Sequence, residues 1–135
     1  MKNLKFLLPV ILAGFLSIAG CTEKSDNTDT PTRSSYLGRW SVTESSRKLT
    51  YEVNITADPG SGDGIFISNF ANTGWSSTPA GAVVAGNSVV LDANQVISGI
   101  TINGSGVLSG TRINWNYTLH DGADLINAVA VYTKQ

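Results

Sequence analysis

The stretch Arg112–Leu119 alternates strictly between apolar and polar side chains, and this pattern restricts the possible folds more than any other feature of the chain. Its apolar members are Ile113, Trp115, Tyr117 and Leu119. Successive side chains of a β-strand point to opposite faces, so the stretch predicts a strand with one buried face and one solvated face.

Short runs of β-type residues recur through residues 36–135, and this region shows no helical periodicity. These runs are 39–44, 49–56, 64–70, 83–85, 88–91, 95–102, 106–109 and 125–134. With 112–119 they make nine runs, from which we expect about eight short strands. The last run is largely apolar on both faces, which predicts a strand covered on both sides. The bulky side chains expected to point inwards are Tyr51, Phe66, Trp115 and Tyr117.

Turn-forming residues separate these runs. Gly86-Asn87 and Asn103-Gly104 are pairs that tolerate the positive φ of two-residue hairpin turns. Asp58–Gly64 is a turn in which Pro lacks a backbone donor and Gly supplies positive φ. A looser loop, residues 71–80, carries Trp75.

Short connections favour neighbouring antiparallel strands, so the sequence predicts an all-β fold, an antiparallel up-and-down meander of about eight short strands. An open meander would leave two unprotected edges, and closure into a barrel removes them. We therefore expect a closed or nearly closed barrel, with a β-sandwich as the alternative. Most runs are shorter than the strands of about 9–11 residues that cross membranes, so the barrel is expected to sit in water.

The N-terminus has the pattern of a secretory signal. Lys2 and Lys5 precede a mostly apolar run, Phe6–Ala19, which is shorter than the about 20 residues that a membrane-spanning helix needs. The run ends in Ile18-Ala19-Gly20-Cys21, which resembles the lipobox of bacterial lipoproteins. The resemblance implies cleavage before Cys21 and attachment of fatty acyl chains there, and the alternative is a plain secretory signal with a chance cysteine.

The sequence thus predicts three segments: a signal peptide at 1–20, the lipidated Cys21 with a flexible polar tether at 21–35, and a β domain at 36–135. Cys21 is the only cysteine, which excludes an intrachain disulfide. Of nine basic residues the signal removes two, and the remaining seven against ten acidic ones give a formal charge of −3. This balance does not suggest a nucleic-acid partner.

Gly38-Arg39-Trp40 opens the first predicted strand as a G-x-W motif, which resembles the lipocalin/calycin superfamily. The resemblance implies that Trp40 closes one end of the barrel and that Gly38 belongs to the same motif. In that family an Arg near the last strand often stacks on the Trp, and here the nearest cation is Lys134. With the lipobox, Asn69-Phe70 and a final Tyr132-Thr133-Lys134, the chain resembles small lipocalin-like lipoproteins of Bacteroidota.

Catalytic and metal chemistry find little support in the sequence. His120 is the only histidine and lies beside a turn, and no G-x-S-x-G elbow offers a nucleophile. With Cys21 lipidated, the usual zinc ligands are missing. Asp58 and Asp63 could suggest calcium, but the closing Glu of an EF-hand is absent. We expect no enzyme activity, no metal and no cofactor.

The predicted function is that of a membrane-anchored envelope lipoprotein, attached by its N-terminal lipid and located at the outer membrane. Its barrel is expected to be a non-catalytic binding or interaction domain for a small molecule, a glycan or an envelope protein. The alternatives are a carrier of a small apolar ligand and a glycan-binding module of the cell surface. Candidate ligand-binding residues are Trp75, in a loop where an exposed Trp would suit stacking, and Trp115 and Tyr117 inside the barrel. The alternative for Trp75 is a side chain that folds back as a lid on the barrel.

Overall fold

Nine strands form one antiparallel sheet in the computed structural model, which describes residues 30–135. The strands are β1 (Gly38–Glu44), β2 (Leu49–Ala57), β3 (Gly64–Ser68), β4 (Ala80–Ala85), β5 (Ser88–Leu91), β6 (Gln95–Ile97), β7 (Ile100–Ser109), β8 (Arg112–His120) and β9 (Leu125–Lys134). Two short 3₁₀ helices, Arg33–Tyr36 and Phe70–Asn72, complete the elements. Within residues 30–135 no helix is long and apolar enough to cross a bilayer.

Eight of the strands close into a barrel. β1 pairs with both β2 and β9, so the first and last strands of the chain are neighbours. The pairing of β5 with β7 then joins the two sides of the sheet and closes the barrel. β6 is an extra strand that pairs with the first three residues of β7. The predicted all-β, up-and-down barrel is confirmed, and the sandwich alternative is wrong. The architecture is compatible with a lipocalin-like fold, and closure leaves few unpaired strand edges.

The predicted hairpin turn at Asn103-Gly104 is wrong, whereas the turn at Gly86-Asn87 is confirmed by the pairing of Ala85 with Ser88. The chain instead turns at Ser98-Gly99, where φ is 51° and 79°. β7 then runs straight through Asn103-Gly104 to Ser109. Gly104 serves close packing rather than a turn, because a Cβ there would lie 2.5 Å from the Cα of Tyr117.

Two predicted orientations also differ from the structure. Phe66 is half-buried on the outer side of β3, and its neighbours Ile65 and Ile67 are the buried residues. In β9 the outward-facing Leu125 and Val129 are exposed, so this strand is covered on one side only. The barrel has a single layer, and nothing among residues 30–135 packs over the outside of β9 at these positions.

Trp40 lies fully buried at one end of the barrel, which we call the closed end. Its indole Nε1 donates to the carbonyl of Tyr36 at 2.8 Å, and the Tyr36 hydroxyl donates to the Gly86 carbonyl at 2.8 Å. The ammonium of Lys134, which pairs with Trp40 across β1 and β9, lies 4.6 Å from the centre of the indole. Lys134 thus occupies the stacking role for which the family resemblance implied an arginine.

The segment before β1 lies against the barrel. Arg33 donates to the carbonyls of Asp58 and Gly64, each at 3.3 Å, and to that of Ser61. The last residues assigned to the tether therefore contact the β2–β3 turn. The signal peptide, Cys21 and the tether up to residue 29 lie outside the described residues.

Candidate functional site

The end of the barrel opposite Trp40, which we call the mouth, contains a buried acidic residue. Glu44 is the last residue of β1, and its side chain is fully buried. Its carboxylate accepts hydrogen bonds from the hydroxyls of Tyr117 at 2.6 Å and Tyr51 at 3.2 Å, and from Arg47 at 2.6 Å. The Nε of Arg47 also donates to it. Glu44, Arg47, Tyr51 and Tyr117 form the mouth cluster.

Opposing effects set the charge of the mouth cluster. Burial raises the pKa of Glu44, but the hydrogen bonds from Arg47 and Tyr117 and the charge of Arg47 outweigh it, so the pKa lies below its ordinary value. Burial raises the pKa of both Tyr51 and Tyr117, which keeps their hydroxyls protonated as donors. The cluster therefore holds a carboxylate anion whose hydrogen bonds are satisfied inside the barrel.

Glu44→Gln is expected to lower the free energy of unfolding by about 1.5–3 kcal/mol at neutral pH, because hydrogen bonds to a charged group are lost. Glu44 has a lower pKa in the folded chain than its ordinary 4.5. Its contribution to stability is thus fully present above pH 4.5 and is lost as the pH falls through the folded value. Urea unfolding between pH 7 and 3 should show a weaker acid dependence for Glu44→Gln, and an unchanged dependence would contradict this assignment.

Phe70 fills the mouth from the β3–β4 loop. Its side chain is fully buried, with ring centres 4.8 Å from Tyr117 and 5.7 Å from Trp115. Arg47 donates to the carbonyl of Ala71 at 3.0 Å, so the same guanidinium binds Glu44 and the loop. Arg47 also lines a hollow beside Asp121 and Asp124 of the β8–β9 turn, and its volume of about 60 Å³ is far below the ~300 Å³ of the smallest usual ligand pockets.

The loop that carries Phe70 has an unusual backbone. Asn69, Ala71 and Asn72 have φ of 61°, 56° and 63°, in the left-handed region that residues other than Gly seldom adopt. Asn69 is buried, and its side-chain amide donates to the carbonyl of Glu52 and accepts from the Gly74 amide, both at 2.8 Å. These bonds stabilise the conformation that directs Phe70 into the barrel.

Behind Phe70, large aromatic side chains fill the interior. Trp115 and Tyr132 are fully buried, with ring centres 5.5 Å apart. The indole Nε1 of Trp115 and the hydroxyl of Tyr132 have no hydrogen-bond partner among residues 30–135. The buried polar side chains of the mouth cluster, in contrast, are hydrogen-bonded to one another.

The structure separates the three predicted ligand-binding residues. Trp115 and Tyr117 lie in the interior, whereas Trp75 is 52% exposed on the outside of the barrel. The guanidinium carbon of Arg39 lies 5.4 Å from the centre of the Trp75 indole. Arg39 also forms an ion pair with Glu52 at 3.0 Å. Trp75 therefore belongs to an outer surface with charged neighbours, and not to an interior site.

A shallow groove of about 280 Å³ crosses the outside of β7, β8 and β9. Its lining includes Asn103, Asn116, Thr118 and Asn127, and the strand pairings place Asn103, Thr118 and Asn127 in one row across the three strands. Sequence reasoning missed this groove because the row depends on strand register. The alternation of polar residues in 112–119 was the available signal.

The other polar residues considered from the sequence, Asp58, Asp63 and His120, form hydrogen bonds within turns. Asp58 Oδ1 accepts from the Gly60 amide at 2.8 Å, and Asp63 Oδ1 accepts from the Ser61 hydroxyl at 2.8 Å. His120 Nδ1 accepts from the Gly122 amide at 3.3 Å. Over residues 30–135, no group of three or more His, Cys, Asp or Glu side chains is placed to hold a metal ion.

No protein-family model, no curated protein and no solved structure matches this chain.

Proposed function

We propose that the chain is an envelope lipoprotein, anchored through Cys21 and located at the outer membrane, whose barrel is a non-catalytic binding or interaction domain that works through its outer surface. The lipobox-like Ile18-Ala19-Gly20-Cys21 supports the anchor. The filled interior is the one observation that supports a domain working through its outer surface.

The interior is occupied by the protein's own side chains. Trp40 and Tyr36 fill the closed end, Trp115 and Tyr132 fill the middle, and Phe70 fills the mouth. A barrel of eight strands is just wide enough to be filled by side chains or to hold one small ligand. Because Phe70 and the mouth cluster occupy the entrance, contacts with a partner fall to the loops and the outer faces of the strands.

A carrier of a small apolar ligand is the second candidate. The unpartnered Trp115 Nε1 and Tyr132 hydroxyl favour it, because an acceptor atom on an otherwise apolar molecule would take their hydrogen bonds after Phe70 moves aside. Native mass spectrometry of the full-length protein, purified in detergent from its own host, separates the two candidates. A small molecule retained in a one-to-one complex supports the carrier, and a protein that is consistently empty supports the surface-acting domain.

Cys21→Ser is expected to move the protein from the membrane fraction to the soluble fraction, because two or three acyl chains are lost, each buried CH₂ contributing about 0.8 kcal/mol. Fractionation followed by immunoblotting measures the distribution. Ser25→Ala, a substitution in the predicted tether, is the control and should stay with the membrane. If Cys21→Ser remains in the membrane fraction, the anchor lies elsewhere in the chain.

A further inference from the structure

We infer that Trp75, with Arg39 and Glu52 beside it, forms a stacking site for one neutral pyranose ring of a glycan. The inference rests on the proposed function, since it names the ligand class for the outer surface of the interaction domain. A sugar bound at this site does not need a cavity inside the barrel.

The loop that presents Trp75 is fixed on both sides of the indole. Before it, the Gly74 amide is held by the side chain of the buried Asn69 at 2.8 Å. After it, the Ser77 hydroxyl donates to the Thr73 carbonyl at 2.9 Å and lies 2.9 Å from the hydroxyl of Ser98 in the β6–β7 turn. An aromatic side chain on a fixed loop binds with less loss of conformational entropy than one on a mobile loop.

The surroundings of the indole supply both stacking and hydrogen bonds. Arg39 lies over the ring, yet 52% of the residue's surface remains exposed, which leaves room for a second group to stack. Arg39 and Glu52 sit at diagonal positions on β1 and β2, and the Gln135 amide reaches the second oxygen of Glu52 at 3.3 Å. Exposed donors and a carboxylate acceptor thus lie next to a π face.

A pyranose ring matches this combination. One side of the ring presents C–H groups that suit the electron-rich face of an indole, and its edge carries hydroxyls that both donate and accept. The charges of Arg39 and Glu52 cancel, so the site offers no net attraction to an anion or a cation. A neutral sugar is therefore favoured over a charged one.

A protein partner fits the site less well. Interfaces between proteins have a contiguous apolar centre. Among the described residues, no large apolar side chain of β1, β2 or β3 is fully exposed. Over residues 30–135, the other large exposed apolar side chains lie on β4–β7 and β9, and they are Val83, Val90, Val96, Val107, Leu125, Ile126 and Val129. Arg39, paired with Glu52, lies beside the indole, and a polar pair next to an aromatic ring suits a polyol.

The fluorescence of the Trp75 indole can itself report binding. Trp40 and Trp115 are 0% exposed, so Trp75 is the tryptophan that acrylamide in solution can reach. Full-length protein in detergent should be titrated with neutral hexaoses of glucose, mannose and xylose while fluorescence is recorded. At least one of them should shift the emission to shorter wavelength and protect it from acrylamide, and calorimetry should confirm saturable binding.

Substitutions locate the bound sugar. Trp75→Ala should weaken calorimetric binding more than about tenfold, as expected for a central aromatic contact. Trp75→Phe should retain part of the affinity, and Arg39→Ala should lower it because the ring and Glu52 lose their support. Val96→Ala, a matched change at another exposed apolar residue, should bind as the unchanged protein does.

Three results would overturn the inference. Failure of every neutral oligosaccharide would remove the sugar site, while the proposed function would still be judged by the Cys21→Ser fractionation and by native mass spectrometry. Binding only to uronic-acid or sialic-acid glycans would contradict the neutral class. Binding that survives Trp75→Ala but is lost in Asn127→Ala would move the sugar to the groove on β7–β9.

Discussion

Phe70→Ala is expected to lower the free energy of unfolding by about 3–5 kcal/mol, the usual cost of truncating a fully buried Phe. The ring packs on Trp115 and Tyr117, and both would lose a neighbour at the mouth of the barrel. The structure can collapse only partly around the gap, because the flanking strands are fixed by their ladder hydrogen bonds. Urea unfolding followed by tryptophan fluorescence measures the loss through the midpoint at constant slope.

Phe66→Ala is the matched control. Phe66 lies two residues before the end of β3, half-buried on the outer side of the strand, so its truncation should cost clearly less than that of Phe70. Phe70→Ala should also acquire affinity for a small aromatic probe such as benzene, since the vacated space borders the rings of Trp115 and Tyr117. Equal losses for the two variants, with no probe binding, would show that Phe70 does not fill the mouth.

Local sequence patterns predict the barrel well, because alternation specifies the strands and turn residues specify the short connections that lead to closure. The alternation in Arg112–Leu119 survives as β8, with Ile113, Trp115 and Tyr117 buried. Gly86-Asn87 specifies a two-residue turn through its own backbone preferences, which no distant residue needs to supply. Short connections and the cost of free edges then leave a closed meander as the favoured arrangement.

The mouth cluster is harder to predict because its partners are distant in sequence. Glu44 and Tyr117 are 73 residues apart, and only the pairing of β1, β9 and β8 brings them together. A signal was nonetheless present. Glu44 keeps the alternation of Trp40 and Val42, which places it on the buried face, and Arg47 follows three residues later. A charged residue in phase with a buried face predicts a partner for that charge.

The position of Trp75 outside the barrel is also hard to predict from the sequence. From the sequence, Trp75, Trp115 and Tyr117 are all candidate ligand-binding residues. The loop conformation that places Trp75 outside the barrel depends on three features of the tertiary structure. They are the left-handed backbone of Asn69, the hydrogen bonds from its side chain to β2 and Gly74, and the burial of Phe70. None of these has a pattern in the sequence that alternation or turn rules detect.

Gly104 illustrates how a local rule can select the wrong structure. Asn-Gly is the strongest two-residue turn signal, yet here the chain turns at Ser98-Gly99 and continues through Asn103-Gly104 as β7. The strand is favoured because Gly104 faces Tyr117 directly across β7 and β8. The packing of a large side chain against a bare backbone requires glycine as much as a turn does.

Gly104→Ala is therefore expected to lower the free energy of unfolding by about 3 kcal/mol or more, as for severe overpacking of a core. A Cβ at this position would lie 2.5 Å from both the Tyr117 Cα and the Asn116 carbonyl oxygen. These are backbone atoms of the neighbouring strand, so they cannot rotate away as the end of a side chain could. The φ of 155° adds to the strain on any side chain there.

Gly110→Ala is the control, because Gly110 lies in the β7–β8 turn with φ of 64° and open space around its missing Cβ. Its substitution should cost only about 1–2 kcal/mol, the penalty for a left-handed residue with a side chain. Urea unfolding of the two variants tests the register directly. If Asn103-Gly104 were an exposed turn, both substitutions would cost the same, so a clear excess for Gly104→Ala supports the continuous β7 strand and equal losses refute it.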